Sequence, residues 1–446
     1  MLIDKPEISA EPTKAFFVDM LTRDIPLEQA ILDLVDNSVD AARASSGNGK
    51  LDGKLVKIEF DGERFRIADN CGGFDSESAR KYAFRFGRPA DSPPSRHSIG
   101  QFGVGMKRAL FKFGSHFTVR SATTDDAWAI DVDVTEWERQ DKWNFPWADF
   151  NSDDNVSVNT PGTEIIVDSL RREVGMRFAT KNFETAIMQL IKSKHRQFIS
   201  SGLQISVNGQ RIDALNLYIL VRDDASFRPG TDEFSYKYKD EIETKVRLIV
   251  GLGESSPREA GWYVICNGRV ILEADRSTTT GWGLVEDASN AIKVPSFHNQ
   301  FARFRGIVSF DSDDSSRVPW NTTKTDVDQD NPVWQLTFTR MSEMMRPVIT
   351  FLNELDNDID EHTRDKSPLF EFVSKARPVR TEELPAKSAF VAPARSAVQK
   401  SVKTTKIQYS KPQDQISFLM KELSLGSATA VGQRTFELIY ERMGGE

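Results

Sequence analysis

Ser98-Ile-Gly100-Gln-Phe-Gly103-Val-Gly105-Met-Lys107 sets three glycines, at spacings of three and two, in front of an apolar helical run. Exposed backbone N–H groups and the positive end of a helix make such a turn an anion cradle. A lysine in the first helical turn opposes the helix dipole, so Lys107 reads as a phosphate partner. The spacing fits neither G-x-G-x-x-G nor G-x-x-x-x-G-K-[ST], which removes the Rossmann and Walker A readings. The proline-rich stretch from Arg85 to Ser98 leads into the turn, and the helix runs near Val104–Phe113.

Working upstream, Leu27, Ile31, Leu34 and Val35 recur at helical spacing, so about Pro26–Ala44 is expected as a helix. Pro26 suits its first turn. Within it, Asp33-Leu-Val-Asp36-Asn37-Ser-Val-Asp40 puts Asp33, Asn37 and Asp40 at i, i+4 and i+7, on one face. Alternation at Val56–Phe60 and Phe65–Ile67, split by Asp61-Gly62, predicts a hairpin. It ends in Asp69-Asn70-Cys71-Gly72-Gly73-Phe74, a carboxylate at a strand end beside paired glycines. Such a carboxylate can accept from an exocyclic amine, and the glycines let a flat ring approach the backbone. Further on, Pro161-Gly162-Thr163-Glu164 brings a hydroxyl into a strand start. Taken singly, these are an ordinary helix face, a turn and a strand start.

Their order is distinctive. Asp/Asn on a helix, Asp with glycines after a hairpin, the glycine cradle, then Gly-Thr before a strand resembles the GHKL ATPases. That superfamily includes gyrase B, the heat-shock chaperones, histidine kinases and MutL-type proteins. Ile99–Gly105 is similar to the chaperone box, and with Met106 and Lys107 it also resembles the MORC ATPases. The resemblance is close over about 20–170 and looser to about 355.

It implies an α+β protein with a Bergerat-fold α/β sandwich, a mixed sheet covered by helices, binding ATP and Mg2+. By the same resemblance Asn37 completes the metal shell and Asp69 bonds the adenine amine, helped by Thr163. Phe74 flanks the nucleoside beside Gly73, another nucleotide-binding position, Gly100, Gly103, Gly105 and Lys107 hold the phosphates, and residues Arg85–Ser98 form a lid. Asp33 is the expected base, although most members carry Glu there, and Cys71 replaces a usual glycine. In Val318-Pro-Trp-Asn321-Thr-Thr-Lys324-Thr-Asp326, Lys324 is the expected γ-phosphate sensor. The function implied is ATP hydrolysis coupled to homodimer closure and domain movement, with a non-hydrolysing ATP-dependent switch or scaffold as the alternative.

The chain has 446 residues, net charge −8 and 39% apolar residues, which predicts several folded units and argues against wholesale coating of nucleic acid. Two distant cysteines fit a reducing compartment, and neither a signal peptide nor a membrane span is legible, so a cytoplasmic location is expected. The boundaries expected are 1–200 for the ATP-binding domain, 201–374 for a transducer-like α+β domain, 375–412 for a basic flexible linker and 413–446 for a helical tail. Between Lys375 and Lys411 nine Lys/Arg face two Glu amid Pro, Ser, Ala and Thr. This linker is a candidate DNA or RNA contact, and the tail a candidate surface for a partner protein. Asp311–Ser316 lacks the glycine and late Glu of a calcium loop and reads as a solvated turn.

Overall fold

The computed structural model describes residues 13–23, 25–47, 49–85, 97–100, 105–151, 156–239, 241–284, 294–359, 367–394 and 407–444. Residues 1–395 form one compact unit and 396–446 a second.

The first unit opens with helices α1 (Lys14–Arg23) and α2 (Leu27–Ser45). Pro26 stands at the N-cap of α2, and Ala30, Ile31, Val35, Val39 and Ala42 are buried along its core face. The hairpin follows as β1 (Leu55–Phe60) and β2 (Phe65–Asp69), its turn closed by Asp61, whose carboxylate accepts from the N–H groups of Glu63 and Arg64. Helix α3 (Ser76–Ser78) runs into a π-helical turn at Ala79–Ala83. After the glycine turn come α4 (Gly105–Phe113), β3 (Gly114–Ala122), β4 (Ala127–Asp133), α5 (Val134–Arg139), β5 (Trp147–Ala148) and β6 (Gly162–Leu170). Helices α6 (Arg172–Phe178), α7 (Lys181–Lys194) and α8 (Arg196–Ser200) lead to β7 (Gln204–Val207) and β8 (Gln210–Arg211).

These strands make one mixed eight-stranded sheet in the order β5-β4-β3-β6-β2-β1-β7-β8. Only β1 and β7 pair in parallel, with Val56 opposite Ile205 and Ile58 opposite Val207. This moves the expected boundary at residue 200. The run Leu203–Val207, expected to open the second domain, completes the first sheet, because Ile205 and Val207 are fully buried there.

The second sheet is built from β10 (Gly230–Lys237), β11 (Glu243–Leu252), β12 (Gly261–Cys266), β13 (Arg269–Asp275) and β14 (Phe304–Ser312), in the order β10-β11-β14-β12-β13. The short strand β9 (Tyr218–Val221) precedes it. The long helix α9 (Pro332–Asp358) covers it, with Met341, Met345 and Val348 fully buried. Trp262, Trp282 and Phe304 pack edge to face in this core.

The expected flexible linker starts later than residue 375. After α10 (Pro368–Ser374), strand β15 (Arg377–Arg380) pairs antiparallel with β9. Ser388 and Val391 exchange backbone hydrogen bonds with Thr231 and Arg228. The charges are used locally: Arg377 pairs with Asp223 (2.8 Å) and Lys387 with Asp232 (3.5 Å). Composition suggested a tether because Pro, Ser and Ala dominate, but Val379 and Leu384 are buried and hold the strap down.

The second unit contains α11 (Gln413–Glu422) and α12 (Ala428–Arg442). Val431 is buried, whereas Phe418, Phe436, Ile439 and Met443 are exposed. Among the described residues no helix is long and apolar enough to cross a membrane.

Truncation therefore distinguishes tether from strap. Ending the chain after Ser374 is expected to cost at least about 3 kcal/mol, since burying Val379 and Leu384 is worth roughly 1.5–3 kcal/mol each. Ending it after Ala394 is expected to leave the urea midpoint of the first unit unchanged, as denaturation followed by tryptophan fluorescence would show.

Candidate functional site

Helix α2 supplies the floor of the site. Asn37 is exposed, although Asp33–Asp36 before it and Ser38–Val39 after it are buried. The polar face inferred from spacing is real, but its members have separate tasks.

At one end, Asp69 leaves β2 between β1 and β6. Its Oδ2 accepts from Ser38 Oγ (2.7 Å), and its Oδ1 from the N–H groups of Cys71 (2.9 Å) and Thr163 (3.2 Å). Burial pushes this carboxyl above its ordinary value, while those donors oppose the shift. An ionised carboxylate offers about four lone-pair sites. Three are used, which leaves room for one further donor such as an exocyclic amine. The hydroxyl of Thr163 lies 3.0 Å from that of Ser121, which in turn accepts from the N–H of Phe74 (3.0 Å). Phe74 is half-buried against Trp128, whose indole donates to the Phe74 carbonyl (2.7 Å). Gly73 holds φ at +62°, and a Cβ there would stand 2.2 Å from the carbonyl oxygen of Ala122. No other residue fits, so the backbone of β3 comes right up to the corner.

At the other end, Asp40 grips the start of the glycine turn. Its Oδ2 accepts from Gly100 N–H (2.8 Å) and Ser98 Oγ (3.0 Å), and its Oδ1 from Ile99 N–H (2.8 Å). A Cβ on Gly100 would meet Asp40 Oδ2 at 3.2 Å and Asn37 Oδ1 at 3.4 Å. A Cβ on Gly105 would meet Asp33 Oδ2 at 3.2 Å. The turn and the start of α4 thus lie directly against the carboxylate and amide groups of α2. Oxygen donors beside backbone N–H groups are a set that suits a hard cation together with a phosphate. Gly103 and most of the expected lid lie outside the described residues.

Lys107 departs from the expectation. It is 1% exposed, and its amine donates to the carbonyl of Ala83 at the end of the π turn (2.7 Å). Lys107, Leu110 and Phe111 are spaced i, i+3, i+4, so the lysine shares their inward face rather than opening onto the cradle. Burial lowers its pKa to about 7.

Lys324, far off in sequence, arrives at α2. It sits at φ +55° in the loop before α9, and its amine donates to Asp36 Oδ2 (2.9 Å). It also lies 3.7 Å from Asp33 Oδ1. A non-glycine residue held in this region stores strain, a recurrent mark of functional loops. Asp33 Oδ1 also accepts from Gln29 Nε2 (2.9 Å). Burial raises the Asp33 carboxyl, and Lys324 pulls it back.

Several members of the site were not anticipated. Asp36 is fully buried and takes three bases: Lys324, His195 Nε2 (2.8 Å) and Arg269 Nε (3.0 Å). Burial alone would raise its carboxyl, but Arg269 and Lys324, with His195, hold it well below the usual carboxylate range. Burial depresses the His195 imidazole while the Asp36 carboxylate opposes the shift. Asp36 follows Leu34 and Val35 on the apolar side of the helix. A carboxylate there requires basic partners, and that was the available signal.

Residues 25–163 match the family model described as histidine kinase-, DNA gyrase B-, and HSP90-like ATPase. No curated protein matches the chain.

Two outcomes test this geometry. Gly73→Ala is expected to destabilise the fold by about 1–3 kcal/mol or more, because both φ and the Ala122 contact oppose a methyl group. Lys107 yields a pH dependence. Its folded pKa of about 7 lies below the roughly 10.4 of an unfolded lysine, so the unfolded chain binds more protons between those values. Stability should rise with pH across that window. Lys107→Met should flatten the rise and show its gain at pH 7, as urea midpoints at pH 7 and 9.5 would reveal.

Proposed function

From a GHKL ATPase domain at residues 25–163, we propose a Mg2+-dependent ATPase in which nucleotide state is transmitted to the second sheet through Lys324. The observation that carries this is the meeting of Lys324 with Asp33 and Asp36 on α2.

In this reading Asp69 takes the adenine amine on its remaining lone pair, with Thr163 and Ser121 alongside and Phe74 against the nucleoside. Gly73 lets the backbone close in. Gly103 and Gly105 receive the phosphates on backbone N–H groups and the start of α4, and Gly100, whose N–H Asp40 holds, opens the cradle. Asn37 presents its amide oxygen to Mg2+, which supplies charge neutralisation of the phosphates. Asp33 orients and deprotonates the attacking water. Lys324 leaves its carboxylates for the γ-phosphate, and the loop before α9 moves with it. Closure brings two copies together, so the dimer depends on ATP.

A second reading, a switch that binds ATP without turning it over, is favoured by one observation. Asp33 is one methylene shorter than Glu, a loss of reach of about 1.5 Å, and is already engaged by Gln29 and near Lys324. Nucleic-acid contact through the basic segment rests on Arg395, Lys400, Lys403, Lys406 and Lys411, because Arg377 and Lys387 are paired within the fold.

Calorimetry should show Mg2+–ATP binding that Asp69→Asn weakens about tenfold or more through the lost acceptor. Asp33→Ala should retain binding and lose about 100-fold or more in ADP production, the scale of general-base catalysis. Intact ATP after hours on the wild-type protein selects the switch. Sedimentation with a non-hydrolysable analogue reports the dimer: a protein that stays monomeric when saturated removes the closure step.

A further inference from the structure

The turn between β12 and β13, Cys266-Asn267-Gly268-Arg269, belongs to the second sheet yet touches both halves of the phosphate end of the site. We propose that Asn267 and Arg269 are positioning residues of the nucleotide site, Asn267 fixing the entry of the glycine turn and Arg269 fixing Asp36 and, through it, Lys324. The inference rests on the ATP reading above for its catalytic consequences and on contacts alone for its structural ones.

Asn267 is fully buried at φ +47°, and each of its polar groups is used. Its N–H donates to the Phe310 carbonyl (2.8 Å), and its Oδ1 accepts from Ser312 N–H (2.9 Å), which ties it to β14. Its Nδ2 donates to the Ser98 carbonyl (3.2 Å). Its own carbonyl accepts from Arg43 Nη1 (3.0 Å), and that nitrogen also donates to the His97 carbonyl (2.7 Å). Residues 97–100 are thus clamped from two sides: by Asp40 of α2 on their N–H and hydroxyl groups, and by Asn267 and Arg43 on their carbonyls. A segment held at both edges is fixed in place without a ligand, so less ordering remains to be supplied on binding.

Two residues on, Arg269 is also fully buried. Its Nε stands 3.0 Å from Asp36 Oδ1, the oxygen that accepts from His195, which leaves Oδ2 to Lys324. One rigid turn therefore sets the glycine turn and the sensor lysine together. Displacement of the second sheet would disturb both at once. Packing between sheets explains buried apolar contacts, but it does not require a hydrogen bond directed at Ser98 and an ion pair directed at Asp36.

Hydrogen exchange and steady-state kinetics on the full chain separate the possibilities. In nucleotide-free protein, Asn267→Ala should speed exchange of the Ile99 and Gly100 amides about tenfold, the effect of losing one supporting hydrogen bond. Leu248 in β11 should not change. Asn267→Asp, which keeps the acceptor for Ser312 and removes the donor to Ser98, should do the same and covers the case in which the alanine variant fails to fold. With ATP, the Asn267 variants should raise KM about tenfold and leave kcat within twofold, while Arg269→Lys should lower kcat about tenfold at unchanged KM. Unchanged exchange at Ile99 and Gly100, or a lowered melting temperature with wild-type KM and kcat in all variants, overturns the inference. Faster exchange in a protein that binds no adenine nucleotide would uphold the clamp and sink only the ATP reading.

Discussion

A fully buried Asp36 carboxylate gathers a lysine, an arginine and a histidine from three separate segments, and the arrangement of the two sheets follows from it. None of those bases lies within residues 25–163. His195 comes from the junction of α7 and α8, Arg269 from the start of β13, and Lys324 from the loop before α9. A carboxylate taken out of water is tolerable only when compensated, and removing one partner of such a buried set costs about 3–5 kcal/mol. Residues 1–395 form one compact unit, and within it Arg269 and Lys324 reach Asp36 from beyond the first sheet, while His195 reaches it from the helices that lead into β7.

The two ends of the site are made by different means. The Asp69 end is local: a hairpin, a strand start and the first turns after them, fixed by backbone contacts so close that only glycine fits at position 73. The end at the glycine turn is assembled from distant parts. Asp40 and Asn267 hold residues 97–100 from opposite sides, and the start of α4 lies against Asp33. The first end is fixed by its own backbone. The second is joined to the second sheet by hydrogen bonds.

The same division explains what the sequence made legible. Helix α2, the β1–β2 hairpin and α4 carry strong periodicity and clear turn residues, and Asp69, Asn37 and Gly105 lie in short ordered motifs. Strand β7 lies in the first sheet between β1 and β8, but its apolar alternation states only that one face is buried and not against which neighbour. The strap at 377–391 was hidden by its Pro, Ser and Ala content, although Val379 and Leu384 anchor it. The helix-dipole argument puts Lys107 in the cradle, whereas its helical phase puts it on the inward face. His195, Arg269 and Asn267 carry no motif at all. Their meaning appears only when strands far apart in sequence bring them to α2.

Asp33 in place of Glu is the departure with most consequence, and the packing around it bears directly on reach. Gly105 brings the start of α4 so close that even a Cβ would stand 3.2 Å from the carboxylate, so the cradle approaches a shorter side chain. Its proton affinity is set by opposed effects: burial raises it, and Lys324, 3.7 Å away, lowers it. A phosphate that draws Lys324 off removes the lowering effect and keeps the raising one. In the ATPase reading, Asp33 then becomes a stronger base at the moment a substrate is in place, and returns to its paired state once the phosphate leaves. The contact that makes Asp33 look occupied in the resting protein is the same contact through which the second sheet would govern when it acts.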